Sequence, residues 1–103
     1  MVHRLVVSYG TPDDPAAFDA YYRETHTPLA LKQPGLIGLT FGHAVSLDPA
    51  QPAPYLVAEL DFDSEEAMRK SLASPEGRAA GKDIRNFATG GVTFTHYDVQ
   101  TVS

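Results

Sequence analysis

The side chains best suited to chemistry in this chain are His26 and, four residues before it, Tyr22. An imidazole ionises near neutral pH, so His26 can act as a general acid or base. A phenol one helical turn away can donate a hydrogen bond to that ring or to a bound carbonyl group. The same two residues also suit a purely structural role, as a satisfied core histidine and a packing tyrosine. The spacing indicates a site without identifying its reaction.

Composition argues against most other chemistries. The chain has no cysteine, which excludes disulfides, a thiolate nucleophile and cysteine metal ligands. Its four histidines form no H-x-H or H-x-x-x-H pair and its glycines form no phosphate-binding loop, so we predict neither a metal site nor a cofactor. The net charge of −5 argues against nucleic acid as a partner. Without a bilayer-length apolar run or a secretion signal, we expect no membrane span and a cytoplasmic location.

A first helix is predicted over residues 14–32. Asp13 or Asp14 can cap its first amides, and Pro15 suits the first helical position. Four residues at helical spacing form one stripe that should face a sheet: Phe18, Tyr22, His26 and Leu29. Pro28 lies inside the same helix and cannot donate to the carbonyl four residues earlier. We therefore expect a kink that leaves space around the imidazole.

Alternating apolar residues predict four strands, at 3–9, 36–45, 55–62 and 92–102. Capping residues introduce two further helices, one starting at 63 and one running from 75 to about 87. The order β-α-β-β-α-β indicates one α+β domain over residues 1–103, with a four-stranded antiparallel sheet and the helices on one face. Because both faces of the sheet carry apolar residues, we expect a homodimer that covers the bare face.

Three aromatic residues on the strands are candidates for the same site. Tyr9 ends the first strand and can close a pocket, or it can be structural. Phe41 and Phe94 form pocket wall if they face the helices, and interface core if they face a partner. Alternation alone leaves both possibilities open.

Three stretches resemble the EthD family, a branch of the dimeric α+β barrel superfamily: DPAAFDAYY at 14–22, ETHTPL at 24–29 and KQPGL at 32–36. The resemblance implies a ferredoxin-like monomer whose sheet closes a barrel with a symmetry mate. It also implies a small-molecule pocket between sheet and helices, lined by His26. Members are associated with degradation of ethers and of aromatic or lactone compounds, and with polyketide tailoring, so the family constrains fold more than function.

Three functions stay open. The first is a homodimeric, cofactor-independent enzyme that acts on a small oxygenated apolar compound by isomerisation, cyclisation, dehydration or oxygenation. His26 would act as acid/base or hydrogen-bond donor, and the substrate would contact Tyr9, Phe18, Tyr22, Leu29, Phe41 and Phe94. The second is a non-catalytic binding or accessory protein for a partner oxygenase. The third is a structural dimer whose pocket is filled by its own side chains.

Overall fold

The computed structural model describes residues 1–103 and has the predicted order of elements. Four strands, β1 (His3–Tyr9), β2 (Gly38–His43), β3 (Leu56–Phe62) and β4 (Val92–Asp98), form one antiparallel sheet in the order β2-β3-β1-β4. Between β1 and β2 lie α1 (Pro15–Tyr21), a π-helical turn (Tyr22–His26) and α2 (Thr27–Ala30). After β3 come α3 (Glu65–Ala73), α4 (Pro75–Asp83) and a 3-10 turn (Ile84–Asn86). The order β-α-β-β-α-β and the α+β class are confirmed.

The first helix begins as predicted and then changes its geometry. The Asp14 side chain accepts a hydrogen bond from the Ala17 amide, and the helix starts at Pro15. Before Pro28, which has no N–H to donate, the chain widens into the π-helical turn, where the Thr27 amide bonds to the carbonyl of Tyr22. The expected disturbance at the proline is therefore a π-helical turn.

This turn corrects one position of the predicted stripe. Phe18, Tyr22 and His26 are buried as expected, but the next buried residue is Ala30, while Leu29 is half-buried. A π-helical turn contains about one residue more than an α-helical turn, so the inward-facing position moves one residue along the chain. The spacing of an ideal α-helix could not anticipate this shift.

The outer strands are shorter than predicted. β2 covers Gly38–His43 instead of 36–45, and β4 covers Val92–Asp98 instead of 92–102. Both lie at an edge of the sheet, where a strand has a neighbour on one side only. Their ends therefore leave the sheet sooner than the apolar alternation suggests.

The helices cover the sheet face on which the core lies. Inward residues of the two central strands form this core: Leu5, Val7, Tyr9, Leu56, Ala58, Leu60 and Phe62. Phe41 is opposite Ala58 and Phe94 is opposite Val7, so both phenylalanines point to the helix side. They are nevertheless 37% and 54% exposed, because they lie on the edge strands beyond the helices.

The opposite face of the sheet is uncovered and less apolar than we expected. Val6 lies at its centre opposite Glu59, and Val57 lies towards one end of β3. Beside them Arg4 forms two hydrogen bonds with the carboxylate of Asp61, at 2.8 and 3.1 Å. The rest of the face consists of threonine, serine and glycine residues together with Glu59 and Tyr97. No helix of the chain combines the length and the apolar composition that a membrane crossing needs.

Candidate active site

A cavity of about 60 Å³ lies between the helices and the covered sheet face. The strands, the π-helical turn, α2, α3 and α4 all contribute to its wall, which is mostly apolar. The residues that line it include Tyr9, Tyr22, His26, Gln33, Leu72 and Phe94. Leu72 and Phe94 are partly exposed, so the cavity reaches the surface beside them.

The His26 ring forms a hydrogen bond with the protein through only one of its two nitrogens. Its Nδ1 lies 3.0 Å from Oδ2 of Asp83, and both side chains are more than nine-tenths buried. No protein group forms a hydrogen bond with Nε2. The void and the unbonded nitrogen argue against a pocket filled entirely by its own side chains.

Asp83 is itself held by two further groups. Tyr21 donates its hydroxyl hydrogen to Oδ1 across 2.5 Å, and the Asn86 amide donates to the same oxygen across 3.0 Å. Both carboxylate oxygens are therefore occupied, which fixes the carboxylate plane and, through it, the imidazole ring. The spacing of Asp83 and Phe87 is part of the EthD resemblance, but sequence reasoning gave Asp83 no role, because nothing along the chain links it to a histidine 57 residues away.

The protonation states follow from these contacts. Burial acts to raise the pKa of Asp83, but the hydrogen bonds from Tyr21, His26 and Asn86 outweigh it and leave that pKa below its ordinary value. Burial lowers the pKa of His26, and the bond to Asp83 offsets this only in part. At neutral pH the imidazole is therefore uncharged. Since a carboxylate only accepts, the ring hydrogen lies on Nδ1 and Nε2 carries a lone pair.

Two buried tyrosines line the same cavity as His26. Tyr9 and Tyr22 both line the cavity, and neither hydroxyl has a hydrogen-bond partner within the chain. The Tyr22 ring lies 5.4 Å from His26 and 5.7 Å from Tyr9, measured between ring centroids. Burial raises the pKa of Tyr22 to about 12 and also raises the pKa of Tyr9, so both stay protonated and can donate.

The predicted site residues divide into two groups. Tyr9, Tyr22, His26 and Phe94 line the cavity, whereas Phe18, Leu29 and Phe41 do not. Phe18 belongs to the aromatic core and stacks on Tyr22 with centroids 5.9 Å apart. The Phe41 ring packs edge-on against the Tyr22 ring, with centroids 4.9 Å apart. Both therefore position Tyr22 and do not face the cavity themselves.

Gln33 was also missed by sequence reasoning. It is 6% exposed, lines the cavity, and donates its amide to the Ala30 carbonyl across 3.1 Å. No protein group donates to its amide oxygen, which is an unused acceptor. Its position just after the helix, in the K-Q-P-G-L stretch, was the only sequence feature that could have indicated it.

A family model described as the EthD domain matches residues 11–91. An uncharacterised 11.0 kDa protein from the thcB–thcC intergenic region of Rhodococcus erythropolis is 41% identical over 101 residues, which cover 98% of each chain. The solved structure of an EthD family protein from Bacillus halodurans is 33% identical, with a TM-score of 0.88 over 97% of this chain and all of that one.

More distant solved structures share the fold. A dimeric ferredoxin-like protein of unknown function from Thermobifida fusca is 18% identical, with a TM-score of 0.73 over 96% of this chain and 92% of that one. SnoaB, a cofactor-independent oxygenase from Streptomyces nogalater, is 16% identical, with a TM-score of 0.69 over 98% of this chain and 95% of that one. These likenesses confirm the ferredoxin-like fold class.

Proposed function

The chain belongs to the EthD family, and we propose that it is a cofactor-independent enzyme that removes a proton from a small oxygenated apolar substrate, with Nε2 of His26 as general base. The observation that carries this proposal is the hydrogen bond between His26 Nδ1 and Asp83, which leaves the Nε2 lone pair beside an apolar cavity. A carboxylate that orients one imidazole nitrogen so that the other can take a proton is a recurrent arrangement of general bases.

The first step takes a proton from a C–H next to a carbonyl, or from a phenolic O–H, and transfers it to Nε2. The electron pair stays on the substrate as an enolate or phenolate, and Asp83 stabilises the imidazolium that forms. The hydroxyls of Tyr9 and Tyr22 donate to the developing oxyanion, a role for which their lack of protein partners suits them. From such an anion, isomerisation, cyclisation, dehydration and reaction with O₂ are all accessible.

The size of the cavity limits the substrate. On this scale one water molecule needs about 10–15 Å³, so about 60 Å³ holds only a few groups of that size. Pockets for larger ligands usually measure about 300 Å³ or more. The side chains of Leu72 and Phe94, 38% and 54% exposed at the cavity edge, would have to turn outward to admit a substrate ring.

The Streptomyces nogalater oxygenase supports the absence of a cofactor in this proposal. It shares the fold and is described as cofactor-independent. At 16% identity it supports no particular substrate or reaction for this chain. The choice of proton abstraction rests on the residues of the cavity.

Deuterium exchange tests the proposal with a defined probe. Cyclohexanone incubated in D₂O with the full chain should take up deuterium next to its carbonyl faster than in buffer, as followed by proton NMR. His26→Ala should lower the catalysed rate about 100-fold or more, while His43→Ala, which removes an exposed histidine bonded to Asp19, should keep it. Saturable binding of the ketone without exchange would instead favour the non-catalytic binding protein. Equal exchange by wild type and His26→Ala would reject the general-base role.

We also propose that two copies pair through the uncovered sheet face. The face has no other cover in the chain, and the Thermobifida fusca relative is described as dimeric. Val57→Glu, on this face of the central strand β3, should convert the dimer to monomer in light scattering. Ala79→Glu, on the exposed surface of α4, should leave it dimeric. A monomeric wild-type chain would contradict the pairing. The cytoplasmic location stays a prediction from composition.

A further inference from the structure

A second group of polar side chains lies at the opposite end of β1 from Tyr9. His3 begins β1, His96 lies on the neighbouring β4, and Glu65 is the first residue of α3. One nitrogen from each histidine and one carboxylate oxygen from Glu65 all lie within 4.8 Å of one another. We propose that these three residues bind a divalent transition-metal ion, with Zn²⁺ as the best match, at a site independent of the His26 cavity.

His3 has the orientation of a metal-binding histidine. Its Nδ1 lies 2.7 Å from Oδ1 of Asp98, and its side chain is almost fully buried. Because the carboxylate can only accept, Nδ1 of His3 carries a hydrogen, and Nε2 is the nitrogen that faces His96. A carboxylate that accepts from the second ring nitrogen of a metal-bound histidine is the usual outer partner in zinc sites.

The distance between the facing nitrogens of His3 and His96 is close to that of two histidine nitrogens bound to one metal ion. Nε2 of His3 and Nδ1 of His96 lie 2.9 Å apart and share a hydrogen bond, which an ion between them would replace. Tetrahedral coordination with metal–nitrogen bonds of about 2.0–2.1 Å places two ligand nitrogens about 3.3 Å apart. An opening of about 0.4 Å is therefore needed, and His96 lies on an exposed edge strand where its ring has room to move.

The charges and ligand types favour a transition metal. Glu65 and Asp98 contribute two negative charges. Arg69 contributes one positive charge, because its Nε donates a hydrogen bond to Oε2 of Glu65 across 2.8 Å. This leaves the other carboxylate oxygen of Glu65 for the ion. Two imidazoles and one carboxylate suit Zn²⁺ or its neighbours, whereas Mg²⁺ and Ca²⁺ prefer oxygen ligands only. Since His96 and Glu65 are exposed, water can complete the tetrahedron.

The ion would link β1, β4 and α3 to one another. β4 is an edge strand with every residue from Thr93 to Asp98 exposed, and it pairs only with β1. A metal shared by His3, His96 and Glu65 links this strand and the start of α3 to the central strand. Metal binding to the folded state alone raises the melting temperature.

The experiment is a Zn²⁺ titration of tag-free full-length chain after chelator treatment, followed by calorimetry and thermal unfolding. We expect one Zn²⁺ per chain, a melting temperature raised by about 5 °C or more in excess metal, and for Co²⁺ the visible absorption of a tetrahedral complex. His96→Ala should abolish saturable binding, and Asp98→Asn should weaken it about 10- to 100-fold. His43→Ala is the matched control and should bind as wild type does. No saturable binding, or binding that His96→Ala leaves unchanged, would overturn the proposal.

Discussion

Oδ2 of Asp83 lies 3.0 Å from Nδ1 of His26, although 57 positions separate the two residues in the chain. The π-helical turn brings His26 to this point and the end of α4 brings Asp83. Because Tyr21 and Asn86 occupy the other carboxylate oxygen, the imidazole has one fixed orientation. Its free nitrogen is then available to whatever enters the cavity.

Asp83→Asn should lower the pKa of His26 further. The carboxylate is the group that opposes the effect of burial on this imidazole, so an uncharged amide leaves burial unopposed. The pKa can be measured by NMR titration of the ring protons. Asp19→Asn, which removes a carboxylate from His43 instead, should leave the pKa of His26 unchanged. A His26 pKa that stays constant or rises in Asp83→Asn would contradict the assigned contact.

Stability should fall as the pH drops below about 6.5, and His26 should cause part of the loss. Its pKa is lowered in the folded state, so the unfolded chain takes up the proton first, and stability declines from the unfolded pKa of about 6.5 down to the folded value. The lowered pKa of Asp83 adds a separate loss that begins near pH 4. Urea unfolding of His26→Gln at several pH values should lack the first decline, and His43→Gln should retain it.

Tyr22→Phe should separate function from stability. The Tyr22 hydroxyl has no partner in the chain, so its removal should change the free energy of unfolding by less than about 0.5 kcal/mol. The same change removes a donor to the proposed oxyanion and should lower ketone exchange about 100-fold. Phe62→Ala, in the centre of the core, should by contrast cost about 3–5 kcal/mol of stability. Unfolding in urea and deuterium exchange measure the two effects.

Two glycines of α4 should respond in opposite directions to alanine. A Cβ added at Gly81 meets no atom within 4 Å, so Gly81→Ala should stabilise the helix by about 0.5–1 kcal/mol. A Cβ at Gly77 would meet the Ser71 carbonyl oxygen far inside van der Waals contact, so Gly77→Ala should destabilise the chain by about 1–3 kcal/mol. Thermal unfolding of the two variants tests both signs. Equal effects would mean that α3 and α4 pack less closely than described.

Local patterns predicted the elements well, because helix caps and strand alternation act over a few residues. Asp14, one of the two predicted candidates, caps α1, and β1 has the predicted bounds, although α3 begins at Glu65 and not at residue 63. The predicted inward position of Leu29 was wrong, because the π-helical turn before Pro28 moves the inward-facing position to Ala30. Alternation also left the direction of Phe41 and Phe94 open, and the strand register decided it.

By itself the sequence determined the order of elements, the likeness to the EthD family and the inward stripe of Phe18, Tyr22 and His26. Only the tertiary structure decided which groups meet at long range. Asp83 reaches His26 across 57 positions and His96 reaches His3 across 93. Such contacts depend on how helices and strands pack together, and no spacing along the chain encodes that. The single polar contact of the His26 side chain and the neighbours of His3 could therefore be identified only from the tertiary structure.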